Sequence, residues 1–163
     1  MATLTAFKFS TPEGAGQMLT KVEALQKQQL INIQDAAIVT WEQGKKKPKT
    51  HQLVSMAGVG ALQGAFWGML FGLIFFIPFF GLAVGAAMGA LGGKMADYGI
   101  DDDFIKQTRE QVTEGTSALF LLTSGAVKDK VVAELQGLDF ELIASNMTKE
   151  QEEELMSSFG TDA

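Results

Sequence analysis

LVSMAGVGALQGAFWGMLFGLIFFIPFFGLAVGAAMGALGG, residues 53–93, contains no Asp, Glu, Lys or Arg. The uncharged run reaches from Thr50 to Gly93, 44 of the 163 residues, and the other 119 carry all 32 charges. Two solvents are implied, water for the ends and something apolar for the middle. As one straight helix residues 53–93 would be roughly 60 Å long, about twice the thickness of a bilayer core. Pro78 is the natural break between two arms, and Phe75, Phe76, Ile77, Pro78, Phe79 and Phe80 form the expected hairpin tip. Glycines recur every four residues in each arm: Gly60, Gly64, Gly68 and Gly72, then Gly81, Gly85, Gly89 and Gly93. That spacing strips one helix face of side chains and lets two such faces pack closely, a glycine zipper. In water each Gly costs about 0.8–1.0 kcal/mol relative to Ala, whereas in hydrocarbon the backbone must bond to itself and the helix forms anyway. The bulky residues Phe66, Trp67, Leu70, Phe71 and Leu73 are expected to need more cover than the other 119 residues supply. The second arm, Phe79 to Gly93, is only about 22 Å long as a helix. Three depths therefore stay open: a full span, a re-entrant wedge, or burial inside an oligomer.

The flanks read as two similar halves. Thr3 to Phe9 alternates as a strand does. Ser10 and Glu13 have capping-box spacing ahead of a helix carrying Ala15, Met18, Leu19, Val22 and Leu25. Ala36 to Trp41 is the second strand, Gln43-Gly44 a turn, and Lys45 to Lys49 too charged for a core. Beyond the insert, Asp101, Asp102 and Asp103 suit the N-terminus of a helix reaching Val112. Ser117 to Thr123 is a nearly continuous apolar run, as in a central strand. Ala126 to Gln136 is helical and Leu138 to Ala144 alternates as a last strand. Thr148 and Gln151 have capping-box spacing at the start of an acidic tail helix. Strand–helix–strand, insert, helix, strand–helix–strand is the order of an α+β, ferredoxin-like sandwich opened at its central loop. The expected organisation is residues 1–50 and 98–147 as the halves of one four-stranded domain. Residues 51–97 form the hydrophobic hairpin between them, and 148–163 an acidic C-terminal helix. The two ends of the insert must then lie close together.

Four stretches also carry a family resemblance: Leu30 to Ala37 (LINIQDAA), Gly64 to Gly68 (GAFWG), Gly92 to Lys106 (GGKMADYGIDDDFIK) and Gly115 to Leu122 (GTSALFLL). Over nearly its whole length the chain resembles a family of small bacterial proteins known only as membrane proteins of unknown function. The resemblance implies a bacterial source and supports the architecture. It transfers no activity, ligand or catalytic residue.

Composition narrows the chemistry. With no Cys there is no disulfide scaffold, thiolate metal site or thiol nucleophile. A net charge of −6 without a long basic face argues against nucleic acid. His51, the sole histidine, lacks a second ligand or paired carboxylate. Lys94 is followed by Met95, not the Ser or Thr of a phosphate loop. Asp101 to Asp103 lacks EF-hand spacing. Glu152 to Glu154 reads as a solvated face that could dock on a partner's lysines. No nucleophile, base and oxyanion site assembles, so no catalytic, cofactor-binding or metal-binding residue is expected. Lys45, Lys46, Lys47 and Lys49 precede the apolar run and Lys94 follows it, as lysines facing anionic headgroups would. No signal peptide is evident at Met1 to Ser10, so both termini and the folded domain are expected on the cytoplasmic side of a bacterial cytoplasmic membrane. The expected function is that of a non-enzymatic, membrane-embedded, self-associating structural protein whose hairpin shapes or organises the bilayer. An oligomeric channel and a membrane-tethered small-molecule sensor are the alternatives.

Overall fold

A strand that is apolar on both sides needs cover on both, and the central strands of this chain are of that kind. The computed structural model describes residues 2–31, 33–53, 62–76, 95–134 and 139–160, without the side chains of residues 76, 125 and 126. In chain order these form β1 (Ala2–Phe9), α1 (Gly14–Lys27), β2 (Asp35–Thr40), β3 (Lys49–Gln52) and α2 (Gly64–Phe71). A π-helical turn (Gly72–Phe76) continues α2. Then come α3 (Asp102–Gln111), β4 (Ser117–Ser124), α4 (Gly125–Glu134), β5 (Glu141–Asn146) and α5 (Lys149–Phe159). The architecture is mixed α+β. One antiparallel sheet has the order β3-β2-β4-β1-β5.

The register gives the sheet two distinct ends. Thr3 stands opposite both Thr123 and Asn146, and Asp35 opposite Leu122, so these residues mark one end. Phe9 and Thr40 both stand opposite Ser117, and Lys49 opposite Thr40, which marks the other. On one face α1 and α4 bury Phe7, Phe9, Met18, Val22, Leu119, Leu121 and Val131. On the opposite face α2, its π-turn, α3 and α5 bury Leu4, Ala37, Phe66, Trp67, Phe104, Phe120, Leu122 and Leu155. β4 accordingly has seven consecutive buried residues.

Several expectations change here. The sheet has a fifth strand, β3, where four strands are expected from the sequence. It sits at an edge, where Lys49 and His51 remain exposed. The bulky face of the first apolar arm is covered by the protein itself. Phe66, Trp67, Leu70, Phe71 and Leu73 are all buried, because Ala118, Phe120 and Leu122 present a second apolar sheet face that needs a helical layer. Ser10 and Glu13 form no capping box; Glu13 is the N-cap of α1 without a side-chain bond. Ser117 takes over, its Oγ accepting from the Ala15 N–H at 2.9 Å and donating to the Thr11 carbonyl at 2.7 Å. The other two caps form as expected. Asp101 Oδ1 accepts from Phe104 N–H at 2.8 Å, and Thr148 with Gln151 makes both bonds of its box. The last strand begins at Glu141, three residues later than Leu138, which lies outside the described residues.

Candidate functional site

The first arm of the apolar run is pinned to the sheet at both of its described ends. At its start the pin is Asp35, a carboxylate with 0% exposure at the head of β2. Oδ2 accepts from the Leu62 N–H at 2.8 Å, the Trp67 Nε1–H at 3.1 Å and the Gln52 Nε2–H at 3.1 Å. Oδ1 accepts from the Ala36 N–H at 2.8 Å. Gln52 also donates to the Leu62 carbonyl at 2.9 Å. A buried carboxylate is costly unless its lone pairs are filled, and here donors from β2, β3 and the apolar arm fill them. Leu62 in turn bridges to Gly160 beyond α5, and the Gln63 N–H donates to the Phe159 carbonyl at 2.7 Å.

From there α2 runs along the sheet towards its far end. Trp67 stacks on Phe71 with centroids 5.6 Å apart, and both meet Phe120 of β4 edge-on. At the end of the π-turn Phe75 packs edge-on against Trp41, just past β2. Arg109 of α3 holds this end: its Nε donates to the Ile74 carbonyl at 3.2 Å and its Nη2 to the Leu73 carbonyl at 2.5 Å. Pro78, four residues beyond Ile74 and five beyond Leu73, has no N–H to give either carbonyl, whether in α or π spacing. The guanidinium donates to both carbonyls, and a cation is favoured at a helix C-terminus. A cleft of about 410 Å³ beside it is lined by Leu73 and Ile105 and by charges of both signs, Lys106, Asp102, Asp103 and Glu110 among them.

The basic loop stands at this same end. The Trp41 Nε1–H donates to the Lys45 carbonyl at 3.0 Å, so the ring that touches Phe75 also holds the start of the lysine run. Lys45, Lys46, Lys47 and Lys49 are exposed. Lys94 lies outside the described residues. Of the first glycine ladder, Gly64 and Gly68 are exposed and Gly72 half-buried; a Cβ at Gly68 or Gly72 would meet nothing within 4 Å. Gly60, Gly81, Gly85, Gly89 and Gly93 lie outside the described residues. Of the tip, Phe75 is buried in the core; the side chain of Phe76 and residues 77–80 fall outside the description. His51 is exposed on β3 opposite Ile38. Among the described residues no group of His, Cys, Asp or Glu could hold a metal ion, and no helix is long and apolar enough to cross a membrane.

Asp35, Gln52 and Arg109 escaped the reading of the sequence, although two carried a signal. Asp35 is the only charge between Leu30 and Trp41, and Arg109 is the chain's sole arginine. A lone charge in an apolar strand, or one guanidinium among twelve lysines, points to a specific partner, yet not to which one.

A family described as a protein of unknown function, DUF1269, matches residues 61–160, well over half of the chain. The match takes in the apolar arm, α3, β4, α4, β5 and α5. No curated protein and no solved structure matches.

Proposed function

The chain belongs to the DUF1269 family of unknown function, and from that premise we propose that it is a non-enzymatic, self-associating structural protein of the bacterial cytoplasmic membrane. Residues 77–93 are the part that meets lipid. We read the sheet as a ferredoxin-like unit: without β3 its order is β2-β4-β1-β5, with α1 and α4 on one face. The stretch 62–76 belongs to that unit's core. Its eight large buried side chains contribute about 1.5–3 kcal/mol each, as much in sum as the whole stability of a typical domain, about 5–15 kcal/mol. They are therefore not free to leave for a bilayer. What is left to enter lipid is the uncharged stretch from Ile77 to Gly93, which follows directly on the π-turn.

The observation that carries this reading is the contact of Trp41 with Phe75 and with the Lys45 carbonyl. It puts four exposed lysines and an amphipathic ring beside Phe75, two residues before the uncharged stretch 77–93 in sequence. Trp and Lys are residues of the headgroup zone, and an anionic cytoplasmic leaflet attracts each lysine by roughly 1 kcal/mol. The acidic helix α5 begins at the opposite end of the sheet, after Asn146, so the charge distribution favours one orientation on such a surface.

Flotation of the full chain with vesicles tests this. Anionic vesicles should bind it, less so as salt rises. The quadruple variant Lys45→Gln, Lys46→Gln, Lys47→Gln, Lys49→Gln should bind more weakly by about two to three orders of magnitude, at roughly 1 kcal/mol per lysine. Equal binding by the quadruple variant would refute the headgroup role of the loop. A chain that never floats, on any lipid, would refute the membrane reading altogether.

A further inference from the structure

The two edges of the sheet are built differently. β3 is a four-residue strand preceded by Lys45, Lys46, Lys47 and Pro48, with Lys49 and His51 exposed on it. Short length, lysines and a proline are the usual devices that keep an edge from pairing with another chain. β5 has none of them. It is six residues long, has no Lys or Pro, and its register with β1 is unbroken from Thr3–Asn146 to Lys8–Glu141.

Which groups β5 leaves free follows from one bond. The Met147 N–H donates to the Ala2 carbonyl at 2.9 Å. In an antiparallel ladder the direction alternates, so Ile143 and Ser145 turn their N–H and C=O groups to β1. Leu142, Ala144 and Asn146 turn theirs outwards. All three are exposed, and Leu142, at 41%, is one of two large hydrophobic residues that open among the described residues.

We propose that this edge pairs with the β5 of a second copy, antiparallel and about a two-fold axis at Ala144. That register sets Ala144 against Ala144 and Leu142 against Asn146 in both directions, and every outward N–H and C=O of the three residues gains a partner. A shift by two residues in either direction sets one of the three opposite a residue outside β5, Phe140 or Thr148. Charge agrees with the same register. Glu141 comes opposite Met147 of the other copy, two residues from Lys149, while the two Glu141 side chains stay about 20 Å apart at 3.4 Å per residue. A six-residue strand pair buries less than the roughly 1,600 Å² of a standard interface. The pair is therefore weak in free solution and gains from any surface that concentrates the copies. This inference deepens the self-association part of the proposed function and is independent of its lipid part.

The test uses the full chain in mild detergent at high micromolar concentration, without vesicles, so that a failure to bind lipid does not enter. The natural chain has no cysteine, and Ala144→Cys should oxidise to a covalent dimer much faster than Ala24→Cys, an exposed position on α1. Ala144→Pro removes one outward N–H and no bond to β1, so it should abolish self-association in sedimentation while leaving the thermal midpoint nearly unchanged. Should the proline variant not fold, the double variant Leu142→Lys, Ala144→Lys replaces it, with two lysines per copy repelling across the axis. Cross-linking of Ala144→Cys no faster than that of Ala24→Cys would overturn the proposal. So would self-association that survives the edge variants.

Discussion

Asp35 shows how one side chain can decide where a whole segment lies. Its Oδ2 takes both the N–H of Leu62 and the indole N–H of Trp67, which would otherwise be buried donors without acceptors. Asp35→Ala leaves both unpaired and should lower the unfolding free energy by about 3 kcal/mol, since each orphaned buried group costs about 1–3 kcal/mol. Asp35→Asn keeps one acceptor oxygen and should cost less, about 1–2 kcal/mol on the same scale. Urea titrations followed by Trp67 emission would rank the two, and a smaller loss for Ala than for Asn would contradict this account. Tyr98 is the opposite case. Its ring packs edge-on to Phe159, but its hydroxyl is buried with no hydrogen-bond partner among the described residues. Tyr98→Phe keeps the packing and removes the unpaired group, so it should raise stability by about 1 kcal/mol, read as a higher denaturation midpoint.

At the scale of single elements, the ends of helices matter most. α1 finishes with Gln29 at φ +62°, a left-handed conformation, and the Leu30 N–H returns to the Leu25 carbonyl at 3.0 Å. This is the position at which helices usually carry glycine. Gln29→Gly should therefore gain about 0.5–1 kcal/mol, visible as a raised thermal midpoint, whereas Gln29→Val should lose at least as much. The carbonyls of Leu73 and Ile74 in the π-turn after α2 both accept from Arg109. Arg109→Met keeps the stem and loses both bonds, and should cost about 2 kcal/mol. Hydrogen exchange should quicken at the amides of residues 70–76 ahead of the sheet. Uniform exchange in the two proteins would show the capping to be incidental.

Across the whole molecule the sheet is covered on both faces, and Phe120 is where the second cover meets it. Its ring contacts Trp67, Phe71 and Phe104, which belong to α2 and α3. Phe120→Ala should cost about 3–5 kcal/mol, the range for a buried aromatic truncated in a core. Because α2 is held by this face, the same variant should also expose Trp67 to acrylamide quenching in the folded state. An unchanged quenching constant would mean that α2 is held by Asp35 and Arg109 alone. Much of this layering was legible beforehand. The run Ser117 to Leu122 is apolar at every alternate and intervening position except Ser117, which announces a strand buried on both sides. What stayed hidden was the identity of the second cover.

Periodicity and capping chemistry act over a few residues, and for that reason the strands β1, β2 and β4, the helices α1, α3 and α5, and the caps at Asp101 and Thr148 follow from the sequence alone. The absence of charge from Thr50 to Gly93 likewise says that this stretch avoids water. It does not say what replaces the water, because a sheet face and a lipid chain are equally apolar to Phe66 or Leu70. Only the tertiary structure distinguished them, through groups distant in sequence. Asp35 and Arg109 stand 27 and 35 residues from Leu62 and Ile74, the partners that they hold. Polar bonds have direction and a single geometry, and it is they that placed residues 62–76 on the sheet.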